Sequence, residues 1–224
     1  MTLREFPDIT QRSPEWDALR QGMVTASTVG RLLTPTLKVA ANETSRALTT
    51  ALVTERLTGY SDPPYLNADV IRGIDMEPYA VARYSEHYRV RVDPMGFMVR
   101  EFNGLKLGYS PDGLVVEDGL IEVKCPRAKN HFATIVADKV PAEHMAQIQA
   151  GLLVSGREWC DFISFFGGMP MFVKRVEPDP DWHPAILAAL SQFEANAAEL
   201  ADSYTAAIHG LATTEHIDLD EIRI

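Results

Sequence analysis

Three short segments with alternating apolar and polar residues restrict the fold of this chain more than any other feature. They are RVRVDPMGFMVREF (residues 89–102), LKLGYSPDGLVV (105–116) and GLIEVKC (119–125). Alternation with a period of two places successive side chains on opposite faces of a strand, and glycine, proline and aspartate supply the reversals between strands. The segments therefore predict strands that are joined by tight turns and pair antiparallel.

Helical patterns flank these strands on both sides. Upstream, apolar spacing and capping residues predict helices over about 14–21, from Thr25–Ser27 to Leu33, over 43–58 and near 75–88. Pro78 is expected in the first turn of the last of these, where its missing N–H costs little. Downstream, we expect a helix over about 142–155, strands over 159–166 and 170–176, and a long helix from 182 to about 208. This order predicts an α/β fold with a central mixed β-sheet flanked by α-helices.

The length and charge of the chain limit its partners. Its 224 residues fit a single domain, with a core over about 12–176 and a helix and acidic tail over about 182–224. The formal net charge of −10 argues against a nucleic-acid partner, because phosphate binding requires clustered lysine and arginine. However, residues 175–224 contain ten acidic and two basic residues, whereas the preceding 174 contain 21 acidic and 19 basic. The nearly neutral body leaves room for a local basic groove.

Hydropathy and cysteine content predict where the protein acts. No apolar run reaches the length of a membrane span, and the N-terminus is polar where a signal peptide requires an apolar core. Cys125 and Cys160 form neither a disulfide framework nor a CxxC pair, so reduced thiols are expected. These features predict a cytoplasmic protein without a membrane partner.

A charged trio occurs in the otherwise largely apolar stretch YSPDGLVVEDGLIEVKCP, residues 109–126. Glu122 and Lys124 lie on one face of the predicted strand, about 7 Å apart along it. Asp112 lies in a Pro-Asp-Gly turn that can swing its carboxylate beside this strand. Two carboxylates and a lysine that converge in this way would bind a hard divalent cation such as Mg²⁺ and stabilise charge on a reacting phosphate.

The same trio has a simpler interpretation. An Asp-Gly turn and an alternating Glu/Lys strand are common on the solvent-facing side of a hairpin, and spacing alone favours that interpretation. The histidines show no paired ligand spacing, which disfavours a zinc site. A functional interpretation of the trio therefore requires support from other segments.

Three other segments provide that support. Asp112, Glu122 and Lys124 follow the spacing D-x9-E-x-K, which resembles the PD-(D/E)XK nuclease core. The further segments are RSPEWDALRQGMVTAS (12–27), GIDMEPYAVARYSEHY (73–88) and HMAQIQAGLLVSG (144–156). In order and spacing they are similar to segments of the lambda exonuclease-like, or YqaJ-type, viral recombinase nucleases. The resemblance covers roughly residues 12–176 and implies a PD-(D/E)XK fold.

The resemblance implies a metal site built on the trio. Asp112 and Glu122 would bind the metal, with the backbone carbonyl of Val123 as a further ligand. Lys124 would position and activate the attacking water. Glu77 would be a third acidic group, although its expected place in the first turn of a helix also suits a carboxylate for electrostatic reasons.

The resemblance also selects one glutamine of MAQIQ. Gln149 would lie in the active site near the nucleophilic water, whereas Gln147 would be structural. From the residues alone, an amide at the edge of the core more often signals a satisfied hydrogen bond, and this alternative stays open for Gln149.

A phosphate-binding pocket is implied further upstream. In the family, the arginine and serine that correspond to Arg20 and Ser27 hold a DNA phosphate, and Thr25 lies beside them. A helix N-terminus offers free N–H groups to an anion, and an arginine adds a bidentate charge, although a plain surface arginine is the alternative. The resemblance implies that this pocket recognises the 5′-terminal phosphate. Lys129 and His131, just after the EVKCP strand, are further candidates for contacts to the DNA backbone.

The implied function is a Mg²⁺-dependent 5′→3′ exonuclease, with Mn²⁺ as a substitute, that degrades one strand of double-stranded DNA from its ends and leaves 3′ single strands for recombination. The resemblance further implies a trimeric ring, a single-strand annealing protein as partner, and action in a bacterial cytoplasm. Two alternatives stay open: a restriction- or repair-type endonuclease of the same superfamily, and a catalytically silent DNA-end-binding module. Two cysteines cannot supply the four thiolates of an iron–sulfur nuclease.

Overall fold

The computed structural model describes residues 2–63 and 67–217, which form two β-sheets. The three-stranded sheet is antiparallel and has the order β1 (Thr2–Phe6), β3 (Phe97–Phe102), β4 (Leu105–Tyr109). The five-stranded sheet has the order β2 (Val92–Asp93), β5 (Gly113–Val115), β6 (Gly119–Lys124), β7 (Trp159–Ser164), β8 (Phe172–Val176). Its β6–β7 pair is parallel and its other pairs are antiparallel. A mixed sheet is therefore present, as predicted.

Helices flank both sheets. The described α-helices are α1 (Pro14–Arg20), α2 (Ala26–Val29), α3 (Glu43–Thr58), α4 (Ala68–Tyr88), α5 (Ala128–Ala137), α6 (Ala142–Ser155) and α7 (Trp182–Ala207). The predicted α/β class is confirmed. The predicted strand meander is divided between the two sheets, because β4 ends the first sheet and β5 belongs to the second. The connection between them, residues 110–112, contains the Pro-Asp turn of the charged trio.

The alternation in β6 separates two hydrophobic clusters. Leu120 packs in the larger cluster together with Ile148 and Leu152 of α6. Ile121 and Val123 pack in the smaller cluster on the opposite face, against α4. Glu122 and Lys124 therefore project from the face that α6 covers, and the solvent-facing hairpin interpretation is wrong for Glu122, which is fully buried.

The start of α4 differs from the prediction. The helix begins at Ala68 rather than near residue 75, because the side chain of Asn67 accepts hydrogen bonds from the backbone N–H groups of Asp69 and Val70. Pro78 consequently lies inside the helix rather than in its first turn. Glu77 also lies in the middle of the helix, so the attraction between a carboxylate and a helix N-terminus does not explain its position.

Other boundaries were predicted less completely. The helix expected up to Leu33 is only the four-residue α2 followed by a 3-10 turn over Gly30–Leu32. Strand β1 and helix α5 were not predicted. None of the described helices is both long enough and apolar enough to cross a bilayer. The end of the predicted acidic tail, residues 218–224, lies outside the described residues.

Candidate active site

The turn between the two sheets brings Asp112 beside β6. Its Oδ2 accepts a hydrogen bond of 2.6 Å from the backbone N–H of Val123. The predicted swing of this carboxylate toward the neighbouring strand is therefore confirmed. The N–H and C=O groups of one strand residue project to the same side, so the Val123 carbonyl also faces the side of Asp112.

Glu122 is a buried carboxylate that is only partly satisfied. Its side chain has no exposed surface, and its Oε1 lies 2.5 Å from the Nζ of Lys124. Its Oε2 is buried and has no hydrogen-bond partner among the described residues. An unpaired buried carboxylate oxygen is costly, and a bound cation is one way to satisfy it.

The charges of Asp112 and Lys124 depend on each other. Burial, followed by the Glu122 charge, raises the pKa of Asp112 well above its ordinary value. Burial opposes the charge of Lys124, but the carboxylates of Glu122 and Asp112 outweigh this effect and raise the pKa of Lys124. Lys124 is therefore an ammonium ion at neutral pH when no metal is bound, suited to hold an oxygen ligand or to stabilise negative charge.

The raised pKa of Asp112 has a consequence for stability. Some carboxyl groups have a higher pKa in the folded state than in the unfolded state. Such a group makes the folded protein less stable as the pH rises from the unfolded pKa through the folded pKa. We therefore expect Asp112→Asn to stabilise the protein in EDTA at pH 8, by about 0.5–2 kcal/mol, and to lose this advantage toward pH 5. Thermal unfolding between pH 5 and 9 measures the difference.

The control for this prediction is Asp202→Asn, at an exposed position in α7. It should leave the pH dependence of the wild-type protein unchanged. Added Mg²⁺ should stabilise the wild-type protein but not Asp112→Asn, because a ligand that binds only the folded state raises its stability. Equal pH dependence in wild type and Asp112→Asn would contradict the assignment of a raised pKa to Asp112.

The third carboxylate, Glu77, lies at the edge of the same cluster. It is close enough to contribute to the raised pKa of Asp112. Its Oε2 pairs with Nη2 of Arg12 at 3.3 Å. In the described residues, no three carboxylate, imidazole or thiolate groups already converge on one point. Carboxylate oxygens are the donor type that suits a hard divalent cation. Glu122 is paired with Lys124 and Glu77 with Arg12, each through one of its two oxygens.

The assignment of Gln149 to the active site is wrong. Its side chain is fully buried and bonds the segment after β8, donating to the Glu177 carbonyl (2.8 Å) and accepting from the Asp179 N–H (2.9 Å). Gln147 lies on the other side of α6, where its Oε1 accepts a hydrogen bond of 3.2 Å from Nζ of Lys124. The glutamine at the candidate site is therefore Gln147, and the structural alternative for Gln149 is the correct one.

A signal for Gln147 exists in the sequence. Gly151 lies one helical turn later on the same face of α6, and a side chain there would collide with the ring of Tyr109, since its Cβ would lie 2.6 Å from the ring's Cζ. The glycine marks the face of α6 that approaches β4. This face, rather than the more apolar one, contains the glutamine that contacts Lys124.

Arg20 lies beside the turn that positions Asp112. Its guanidinium stacks over the Trp16 ring at 3.9 Å, and its Nη1 donates to the hydroxyl of Ser110 at 3.3 Å. The indole N–H of Trp16 donates to the same hydroxyl at 2.8 Å. Burial lowers the pKa of Arg20 to about 10, so the guanidinium keeps its charge at neutral pH. Ser110, which was not predicted, connects the arginine to the residues before Asp112.

The turn after Arg20 is anchored to α3. The backbone N–H of Gly22 donates to Glu55 (2.7 Å), and the Gly22 carbonyl accepts from Nε of Arg56 (2.6 Å). Gly22 has a φ of +65°, and a Cβ at this position would lie 2.4 Å from Cγ of Arg56. Only glycine fits this turn without strain, which accounts for the Arg-x-Gly pattern.

Ser27 and Thr25 occupy the N-terminus of α2, next to the same end of β4. Their hydroxyls lie 3.0 Å apart, and Thr25 forms an isolated bridge with Gly108. The structure thus places Arg20, Ser27 and Thr25 around the last residues of β4. Since α2 has only four residues, an anion here would depend on the arginine and the hydroxyls more than on a helix dipole.

His131 is not available to DNA. Its ring is fully buried, with Nδ1 at 2.7 Å from the Ser164 hydroxyl and Nε2 at 2.9 Å from the Pro170 carbonyl. The prediction that His131 contacts the DNA backbone is therefore wrong. Lys129 is exposed on α5, and its role stays a prediction.

Cationic side chains lie around the carboxylates despite the acidic total charge. Arg72 donates to the carbonyl of Cys125 at 3.2 Å, directly after Lys124. Arg72 and Arg127 both contact Asp69, at 2.9 and 2.8 Å. A cleft of about 360 Å³ opens beside Lys124 and is bordered also by Lys139 and His144. A second groove, of about 700 Å³, lies between α3 and α7 and contains none of the predicted site residues.

Residues 15–158 match the model of one protein family, described as the YqaJ-like viral recombinase domain. The chain belongs to this family. The matched range includes every residue to which a site role was assigned, from Arg20 to Gln149. A search of curated proteins finds no match.

Solved structures agree with membership of the YqaJ-like family. The chain is similar to an alkaline exonuclease (LHK-Exo) from Laribacter hongkongensis, with a TM-score of 0.78 and 33% identity over 89% of this chain and 100% of that one. The same values are found for LHK-Exo in complex with dAMP. A phage-related exonuclease from Haemophilus somnus 129PT shares the fold, with a TM-score of 0.63 and 15% identity over 81% of this chain and 96% of that chain. The expected nuclease fold is therefore confirmed.

Proposed function

We propose that this protein is a Mg²⁺-dependent 5′→3′ exonuclease that degrades one strand of double-stranded DNA from its ends. Family membership and the similarity to LHK-Exo support the coarser statement, that the chain is an exodeoxyribonuclease of the viral recombinase type. The observation that carries the finer proposal is the partly satisfied carboxylate pair Asp112–Glu122, which adjoins both Lys124 and the turn that contacts Arg20.

The carboxylates of Asp112 and Glu122 and the carbonyl of Val123 would hold the metal. The unpaired Oε2 of Glu122 fits a place for a divalent cation, as does the raised pKa of Asp112, which burial and then the Glu122 charge cause, because a bound cation would favour the ionised form of both carboxyl groups. Oxygen ligands of this kind suit Mg²⁺, with Mn²⁺ as a substitute. When bound, such an ion supplies Lewis acidity toward the phosphate and its attacking water.

Lys124 and Gln147 would act on the attacking water and the phosphate. The ammonium group of Lys124 is held between Glu122 (2.5 Å) and Gln147 (3.2 Å), which restricts where it can donate its remaining hydrogen bond. A fixed donor at the reacting centre stabilises charge that develops in the transition state. Glu77 would complete the acidic group from α4.

The pocket of Arg20, Ser27 and Thr25 would bind the 5′-terminal phosphate. This pocket would accept the end of a DNA strand beside the turn that carries Asp112. It would therefore fix the distance from the DNA end to the cleaved bond. That arrangement supports cleavage from the 5′ end rather than within a duplex.

Removal of the Arg20 guanidinium is expected to abolish a preference for phosphorylated ends. Wild-type protein should degrade linear duplex DNA with a 5′-phosphate faster than the same DNA with a 5′-hydroxyl. Arg20→Ala should lose about 10- to 100-fold in rate on the phosphorylated substrate only, because a hydrogen bond to a charged group contributes about 1.5–3 kcal/mol. Time courses of nucleotide release in Mg²⁺ measure both rates.

The control is Arg4→Ala, at an exposed arginine of β1. It should retain the wild-type preference. Equal rates of the wild-type protein on both ends would leave a nuclease but remove the role of Arg20, Ser27 and Thr25. Efficient cleavage of a closed circular duplex would instead favour an endonuclease.

The proposal includes an assembly and a setting. A trimeric ring would enclose DNA in a basic channel with an acidic exterior, which would reconcile the net charge of −10 with DNA binding. The 3′ single strands would pass to a single-strand annealing protein in a bacterial cytoplasm. Light scattering of the purified protein tests the ring. A mass of three chains is expected, and a mass of one or two chains would contradict it.

A further inference from the structure

The contact between Arg12 and Glu77 places a further cation at the candidate site. Nη2 of Arg12 lies 3.3 Å from Oε2 of Glu77, and the arginine side chain is 49% exposed. Arg12 belongs neither to the charged trio of Asp112, Glu122 and Lys124 nor to the pocket around Arg20. We infer that Arg12 is a phosphate ligand for DNA, located between the terminal-phosphate pocket and the carboxylates, and that Glu77 holds its guanidinium in place before DNA binds.

The backbone of Arg12 has a strained conformation that neighbouring hydrogen bonds hold in place. Its φ is +68°, a left-handed conformation that disfavours a residue with a Cβ. The preceding Gln11 fixes this turn with two hydrogen bonds, from Nε2 to the carbonyls of Met95 (3.0 Å) and Pro111 (2.8 Å). Strained residues that the surrounding structure holds in place concentrate at functional sites.

The anchors of this turn connect the neighbours of Arg12 to both halves of the site. Pro111, whose carbonyl Gln11 binds, directly precedes Asp112. On the other side, Ser13 caps α1 by accepting the N–H of Trp16, and α1 ends at Arg20. A DNA strand that extends from the Arg20 pocket to the carboxylates would therefore pass Arg12.

The ion pair with Glu77 contributes little to the fold. Both partners are partly exposed, at 49% and 26%, and solvent-exposed ion pairs are weak. Glu77 is the only side-chain partner of this guanidinium in the described part of the chain. The remaining donors of Arg12 can therefore bind a phosphate, and a divalent cation on the carboxylates would weaken the attraction of Glu77 for the guanidinium.

The structure offers a matched pair of variants for a test. Arg12→Gly removes the guanidinium and suits the left-handed backbone, so it should fold at least as well as the wild type. Arg89 is also an exposed arginine with a positive φ (+57°), at the C-terminal end of α4. It lies twelve residues after Glu77, about 18 Å along the helix. Arg89→Gly is therefore the same substitution in the same backbone conformation, away from the site.

The decisive measurement is the salt dependence of DNA binding in EDTA, which stops a metal-dependent nuclease. Each phosphate contact contributes about 0.9 to the slope of log K against log salt concentration for duplex DNA. We expect the slope for Arg12→Gly to be smaller than that of the wild type by about 0.9, and that for Arg89→Gly to be unchanged. In Mg²⁺, Arg12→Gly should cleave at least about tenfold more slowly, and Arg12→Lys should restore part of the slope.

Two further measurements separate a loss of phosphate binding from a loss of stability or of metal binding. Thermal unfolding should show Arg12→Gly as stable as the wild type, and Mn²⁺ binding without DNA, measured by electron paramagnetic resonance, should not be weakened. An unchanged salt slope would overturn the inference, and weaker Mn²⁺ binding with an unchanged slope would give Arg12 a role only through Glu77. The inference rests on the proposed function, whose own failure would look different, as absence of cleavage or of DNA binding by the wild-type protein.

Discussion

Replacement of Glu122 by glutamine is expected to lower the rate of DNA hydrolysis in Mg²⁺ by at least about 10³-fold. Metal assistance is worth several kcal/mol of transition-state stabilisation, and each 1.36 kcal/mol corresponds to a factor of ten. The substitution removes one charge from the carboxylate pair without changing the shape of the side chain. Because the glutamine oxygen can still accept from Lys124, the local hydrogen bonding is preserved.

Glu122→Gln should fold normally and bind a divalent cation more weakly than the wild type. One oxygen of Glu122 pairs with Lys124 and the other has no partner among the described residues, so loss of the ion pair and relief of the unpaired charge oppose each other. The variant should therefore unfold in EDTA at a Tm close to that of the wild type. Calorimetric titration with Mg²⁺ or Mn²⁺ should show weaker binding, and single-turnover hydrolysis of linear duplex should show the loss of rate.

The control for this experiment is Glu117→Gln in the exposed turn between β5 and β6. It makes the same chemical change only five residues away and should keep full activity. Hydrolysis by Glu122→Gln at a rate within tenfold of the wild type would remove the carboxylate pair from the mechanism and would favour a different centre.

The sequence predicts the carboxylate half of the candidate site, Asp112, Glu122 and Lys124, well, because that half depends on local geometry. Alternation along β6 requires Glu122 and Lys124 to share a face, and the Pro-Asp-Gly turn directs Asp112 toward the same strand. Both expectations appear in the structure as short contacts. The degree of burial was not predictable, since it depends on α6, which packs over this face of the sheet.

The residues that join the two halves of the site could not be found in this way. Ser110 and Arg12 act through contacts with partners 65 to 94 positions away in the sequence, such as Trp16 for the serine and Glu77 for the arginine. No periodicity or spacing reports such contacts. The early start of α4 was missed for a different reason. Its only local signal is one capping residue, Asn67.

The two glutamines of MAQIQ show the limit of helical patterns. The family resemblance placed Gln149 in the site, whereas the residues alone favoured a satisfied hydrogen bond at the edge of the core. In the structure both faces of α6 are covered, one by the sheet and the other by α7 and the segment after β8, so burial does not identify the functional face. The distinction depends on the partner of each amide, which is Lys124 for Gln147 and the segment after β8 for Gln149.

Alanine substitutions at these two glutamines are therefore expected to have opposite effects. Gln149→Ala removes the partners of two backbone groups, the Glu177 carbonyl and the Asp179 N–H, and should destabilise the protein by about 2–4 kcal/mol. The corresponding decrease in Tm is about 5–12 °C for a chain of this size. Its activity at low temperature, where the protein is folded, should remain close to that of the wild type.

Gln147→Ala should leave stability almost unchanged and reduce catalysis. Its amide contacts Lys124 at 3.2 Å and is partly exposed, so its loss frees the ammonium group without leaving a buried backbone group unpaired. We expect the single-turnover rate to fall about 10- to 100-fold, because a misplaced catalytic group can cost about 10²-fold. Each variant serves as the control for the other, as the same change in the same helix. The contrary result is a stable but inactive Gln149→Ala together with an unstable but active Gln147→Ala. It would return Gln149 to the active site and contradict the position of α6 against the sheet.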